Sequence, residues 1–160
     1  KREFKDILIS VQAIDTLGKV LTIPAYKIKF SYRKCDLPKD IIFLSATFKG
    51  NKKNKNLIKK EINSLKNKKE LAQPTRIKTG GSTFKNPINQ TNKKVWELIK
   101  ESVSLDTEFG DAAISKKHCN FFINKNNAKY DDMKKLINFV KDKVMSKTGI
   151  KLDLEIILVE

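Results

Sequence analysis

The chain has 160 residues, 39% of them hydrophobic and 32% charged, which suits a globular protein with one core, or one small domain plus part of another. No run of about 18 apolar residues occurs, and the first ten residues, KREFKDILIS, lack the apolar centre of a signal peptide, so the expectation is a cytoplasmic chain without membrane contact. The formal charge of +16 invites a nucleic-acid reading.

Residues 6–13 (DILISVQA) alternate, with Ile7, Ile9, Val11 and Ala13 on one side, and predict a strand. DTLG turns the chain, and KVLTI predicts the return strand of a hairpin. Residues 27–33 (KIKFSYR) alternate again, and after the LPKD turn IIFLSATF predicts a mostly apolar strand. The first 48 residues thus predict a β-meander, a sheet that needs a second layer over its apolar face. Residues 51–69 carry eight lysines, with Leu57, Ile58, Ile62 and Leu65 recurring at helical spacing among them. This pattern predicts an amphipathic connecting helix with a solvated basic face, closed at AQP (72–74) because the residue before proline resists helical geometry.

Residues 79–87 read TGGSTFKNP. Two glycines free the backbone, Ser82 and Thr83 can donate and accept, Asn86 does both, and Lys85 brings charge. Such a loop is either a polar turn or a ligand site, and composition alone does not choose. Residues 92–103 predict a helix with Val95, Trp96, Ile99 and Val103 inward. AAIS and HCNFFIN predict strands. Residues 130–145 predict a helix with the stripe Met133, Leu136, Ile137, Val140 and Val144, two aspartates at its N-terminus and Gly149 beyond its end. LDLEIILV predicts a final strand with Leu152, Leu154, Ile156 and Leu158 on one side. The fold class is α+β, divided as 1–50, a connecting helix over 51–73, and a compact α+β unit over 74–160.

Of the 34 basic residues only Arg2, Arg33 and Arg76 are arginine. Base readout and bidentate phosphate clamps favour arginine, so the lysines, accompanied by many asparagines and isoleucines, read as the bias of an AT-rich genome rather than a specific nucleic-acid surface. Cys35 and Cys119 stand 84 positions apart with one histidine in the chain, so neither a metal cluster nor a disulfide scaffold is expected, and the thiols are read as reduced.

Three segments, FSYRKCDLP (30–38), QPTRIKTGGSTFKNP (73–87), and AAISKKHCNFFIN (112–124) followed by LDLEII (152–157), together resemble the UDP-N-acetylenolpyruvoylglucosamine reductases of bacterial peptidoglycan synthesis. The resemblance implies reduction of UDP-N-acetylglucosamine enolpyruvate to UDP-N-acetylmuramate with FAD and NADPH as cofactors. It implies Ser82 as proton donor, with Arg33 and Glu155 stabilising the enol-type intermediate. Tyr32, Lys85, Asn86 and His118 fall on the substrate side. Residues 1–50 correspond to a remnant of the FAD-binding region and 74–160 to the UDP-sugar domain. The family's GxGSN and NAGAYG flavin segments have no counterpart here, and Cys35 stands where serine is common. The expectation is therefore a cut piece, or a gene product without its flavin half, that a separate N-terminal fragment would complete. Two alternatives stand beside it: an inactive UDP-sugar-binding module, and a Lys-rich nucleic-acid-binding protein.

Overall fold

The structure, a computed structural model, describes residues 3–159. The fold is α+β, and the chain divides into two units between Ile58 and Lys59, each with its own buried apolar cluster.

In the first unit β1 (Leu8–Ile14) and β2 (Val20–Pro24) form the expected hairpin. Asp15 closes it by accepting from the N–H groups of Leu17 and Lys19, both at 2.9 Å, so one short acidic side chain satisfies the turn's backbone. The strand expected over 27–33 is not continuous. A 3-10 turn occupies Ala25–Lys27, and then a small hairpin of β3 (Phe30–Ser31) and β4 (Lys34–Cys35) turns at Tyr32 and Arg33. Arg33 lies at φ +59°, a left-handed conformation that a strand does not contain.

β5 (Ile42–Phe48) then returns to the far edge of β1, and the sheet order β2-β1-β5 departs from a meander. The buried set also shifts. Leu8, Val11 and Ala13 are buried while Ile9 is exposed, because the β1–β5 register is irregular between Leu8 and Ser10 and between Gln12 and Ala13. One extra residue in a strand exchanges its two faces.

α1 (Lys55–Ala72) begins at Asn54, whose Oδ1 accepts from the Asn56 N–H at 2.9 Å, and stops short of Pro74 as expected. No residue of α1 is buried, and the expected inward stripe Leu57, Ile58, Ile62 and Leu65 is exposed. Helical spacing reports local geometry and does not by itself create a partner surface.

The second unit is an antiparallel sheet in the order β6-β9-β8-β7, built from β6 (Lys78–Ser82), β7 (Glu108–Phe109), β8 (Ala112–Ile114) and β9 (Phe121–Asn124). α2 (Val95–Ser102) and α3 (Tyr130–Thr148) pack together, and α3 also packs on β7 and β8. α3 realises its predicted stripe: Leu136, Ile137, Val140 and Val144 are fully buried and Met133 is half-buried. Asp132 accepts from the Lys129 N–H at 3.0 Å at its start. Gly149, at φ +71°, ends it with its N–H on the Met145 carbonyl, where a side chain would be strained.

In α2 the inward residues are Val95, Leu98 and Ile99, and Trp96 is exposed rather than buried. Trp96 and Leu98, two residues apart on a helix of 3.6 residues per turn, face opposite sides, and Leu98 is the one on the core. The final strand is also absent as a ladder. Residues 152–159 make one antiparallel bridge, Phe84 to Leu154, yet keep the predicted alternation, with Leu152 buried and Leu154, Ile156 and Leu158 packed on the core.

Candidate active site

The Thr79–Ser82 stretch, expected as a loop, lies in β6 and is paired with β9. Thr79 sits opposite Ile123 and Ser82 opposite Phe121, so Gly80 and Gly81 together face the single residue Phe122. This is a β-bulge. Gly81 supplies it with φ +88°, and the Thr79 hydroxyl replaces the missing rung by donating to the Phe122 carbonyl at 2.7 Å and accepting from the Gly81 N–H at 3.2 Å. A bulge re-aims the residue after it, and that residue is Ser82. Its side chain is half-buried and, among the described residues, its hydroxyl has no protein hydrogen-bond partner.

From Ser82 the chain runs between two partners. The Thr83 N–H donates to the Asn120 carbonyl at 2.7 Å, and the Thr83 carbonyl accepts from the Glu155 N–H at 2.8 Å. Lys85 N–H donates to the Asp153 carbonyl at 2.9 Å, and Phe84 is buried among the core side chains. Ser82 and Lys85 are thereby set on one segment and Glu155, 70 or more positions later, on a second that pairs directly with it. Lys85 is half-buried, and its ammonium has no ion-pair partner among the described residues.

Asn86 has a structural task. Its Oδ1 accepts from the Val95 N–H at 3.0 Å, which caps the start of α2. His118 lies in the turn before β9, half-buried, with its ring edge-on to Phe121 at 4.9 Å between centroids. Its Nδ1 accepts from the Asn120 N–H at 3.3 Å, which leaves the neutral ring's proton on Nε2. Burial pushes its pKa below the ordinary 6.5, since a desolvated imidazolium is costly. His118 also borders a cleft of about 270 Å³ with Trp96, Lys100, Lys116 and Lys117. Cys119 closes the floor of that cleft, its Sγ donating to the Trp96 carbonyl at 3.0 Å.

Tyr32 and Arg33 occupy the β3–β4 turn of the first unit. The Arg33 guanidinium lies 5.4 Å from the Tyr32 ring centroid, and both line a cleft of about 770 Å³. The left-handed backbone at Arg33 costs energy that a plain turn would avoid with glycine or asparagine, and such outliers gather at functional sites.

The apolar cavity of the first unit lacks the donors that a pyrophosphate takes. A pyrophosphate is held by free backbone N–H groups at a helix N-terminus or glycine loop. The cavity of about 360 Å³ in the first unit is lined by Phe4, Leu8, Val11, Ile28 and Phe43 among others, with no charged side chain on its wall. Two residues that organise the site were not singled out from the sequence, Thr79 and Asn120. The only available signal was their place, one before the glycine pair and one between the single histidine and an apolar run.

The family described as UDP-N-acetylenolpyruvoylglucosamine reductase, C-terminal domain, matches residues 73–159. The chain is 65% identical over 155 residues to the UDP-N-acetylenolpyruvoylglucosamine reductase of Pelagibacter ubique (strain HTCC1062), covering 97% of this chain and 51% of that protein. It is 42% identical over 153 residues to the reductase of Rickettsia typhi (strain ATCC VR-144 / Wilmington), covering 96% and 51%. The crystal structure of the Thermus caldophilus reductase superposes with a TM-score of 0.76 at 28% identity, over 94% of this chain and 52% of that one. The chain spans about half the length of the curated relatives it matches. With sequence, domain and fold in agreement, the chain belongs to the UDP-N-acetylenolpyruvoylglucosamine reductase family.

Proposed function

We propose that this chain supplies the UDP-sugar domain and the proton donor for reduction of UDP-N-acetylglucosamine enolpyruvate to UDP-N-acetylmuramate, an NADPH- and FAD-dependent step of peptidoglycan precursor synthesis in the cytoplasm. Residues 74–160 are the substrate domain, and residues 1–50 belong to the flavin-binding region, which segments outside this chain complete. Reducing an enolpyruvyl ether adds a hydride equivalent at one carbon and a proton at its neighbour, and this chain's residues serve the proton. Ser82 delivers it. Charge builds on the carboxylate-bearing carbon as the reaction proceeds, and Arg33 and Glu155 stabilise that enol-type state, where stabilisation accelerates a reaction. Tyr32, Lys85, Asn86 and His118 contact the substrate, and Asn86 also fixes the start of α2.

The observation that carries this reading is the bulge itself. It aims a half-buried serine, without a hydrogen-bond partner among the described residues, from a strand that is backbone-paired, through Thr83, to Glu155. A second reading, a UDP-sugar-binding module without turnover, is favoured by the apolar cavity of the first unit, whose wall offers a pyrophosphate no charged partner.

The test is complementation with the N-terminal half of the Pelagibacter relative. The complex should reduce the enolpyruvyl sugar, and Ser82→Ala should slow that by ~10²–10⁴ while calorimetric binding of the sugar persists. Binding without turnover in the unaltered complex selects the second reading. Full turnover in Ser82→Ala removes the serine from the proton step.

A further inference from the structure

The bulge turns Ser82 away from the ladder, but two glycines precede it and glycine backbone is the most permissive, so the bulge alone does not hold that direction. The other side of the serine, Thr83 and Phe84, has to be held as well. There the regular ladder is already gone: β9 begins at Phe121, and residues 118–120 form the turn before it.

Asn120 continues the pairing with its side chain. Its Oδ1 accepts from the Phe84 N–H at 3.0 Å, and its Nδ2 donates to the Phe84 carbonyl at 2.9 Å. A carboxamide offers a donor and an acceptor side by side, so it reads Phe84 as a neighbouring strand would. Its main-chain carbonyl takes the Thr83 N–H at 2.7 Å, and its own N–H is held by Nδ1 of His118. Asn120 is 3% exposed, so each of these groups, if unpaired, would carry the full cost of burial. On the opposite side of this stretch Glu155 donates to Thr83, and Asp153 accepts from Lys85.

We propose that Asn120 is a positioning residue that holds Ser82 and Glu155 in one register through the Thr83–Phe84 backbone. It touches no substrate. Its carboxamide is committed to Phe84, and its effect reaches the reacting groups only through the strand. This rests on the roles given to Ser82 and Glu155 above. His118 belongs to the same device, since its Nδ1 orients the turn that carries Asn120.

Two variants test this. Asn120→Ala removes both bonds to Phe84, and Asn120→Asp keeps the size and the acceptor but sets a carboxylate oxygen against the Phe84 carbonyl. In this chain alone, amide hydrogen exchange at Phe84 and Glu155 should quicken by ~10² or more in both variants, while Leu136 and Val140 in α3 keep their protection. In the complemented reductase, kcat should fall by at least ~10-fold, with KM for UDP-N-acetylglucosamine enolpyruvate within about twofold of the parent. Exchange that quickens equally in α3 makes Asn120 an ordinary core residue and overturns the proposal. So does a raised KM at unchanged kcat, which is the mark of a substrate ligand. Ser82→Ala run in parallel separates the two ideas: if it too leaves turnover intact, the assignment of Ser82 fails while the exchange data still decide whether Asn120 is the clamp.

Discussion

The backbone N–H of Asn120 donates to Nδ1 of His118 across 3.3 Å, so the turn ahead of β9 depends on a histidine that is neutral. Burial depresses the His118 pKa below its ordinary 6.5. Between those two values the unfolded chain binds a proton that the native chain refuses, and stability rises with pH there. The contribution is complete above pH 6.5 and is lost as pH falls from 6.5 through the lowered native value. His118 is the chain's single histidine, so its ring signals titrate without overlap. An NMR midpoint below 6.5, with a melting temperature that drops over the same range and drops less in His118→Gln, is the expected result. A midpoint above 6.5 contradicts the buried, neutral ring.

The two bulge glycines should respond differently to alanine. A Cβ at Gly81 meets nothing within 4 Å, but its φ of +88° should cost about 1–2 kcal/mol in backbone strain. At Gly80 the added Cβ makes an ordinary 3.5 Å contact with Ile156, and the backbone carries no such strain. Urea unfolding should therefore rank Gly81→Ala well below Gly80→Ala. The reverse order would falsify the bulge geometry.

Leu98 and Trp96 sit two residues apart with opposite environments, 1% and 42% exposed. Leu98→Ala should cost about 2–5 kcal/mol by leaving a cavity between α2 and α3. Trp96→Ala removes a larger side chain but one that faces the cleft, and should cost at least about 1 kcal/mol less. Equal losses in denaturant titration would place Trp96 in the core after all.

The two thiols should separate under a disulfide reagent. Cys35 is exposed, whereas Cys119 is buried, donates to the Trp96 carbonyl and has its thiol pushed up by burial, which keeps it protonated and unreactive. One fast thiol and one slow thiol are expected, with the fast phase lost in Cys35→Ser. Two equal phases would mean that the β8–β9 turn opens readily.

Much of this protein was legible because the relevant physics is local. The α3 stripe, its N-terminal aspartates and Gly149 follow from a 3.6-residue period and from the unpaired groups at helix ends, and they hold without knowledge of any partner. The alternation of Leu152, Leu154, Ile156 and Leu158 was legible for the same reason, although no ladder forms there. The family could be read from Tyr32–Arg33, TGGSTFKNP and HCNFFIN before any coordinate was known.

What tertiary structure decided was register. Whether Gly80 and Gly81 form a loop or a bulge depends on how β6 meets β9, about forty residues away, and periodicity within TGGS carries no trace of it. The hairpin at Tyr32 and Arg33 interrupts an alternation that looked continuous, because β5 takes the edge of β1 and leaves 27–33 without a long partner. The exposed stripe of α1 is the same lesson in reverse, a pattern with nothing buried against it. Asn120 shows the limit most clearly. Nothing in an asparagine's own neighbourhood says that its amide will stand in for a strand, since Phe84, the backbone it completes, is 36 residues away and is brought there only by the closed core.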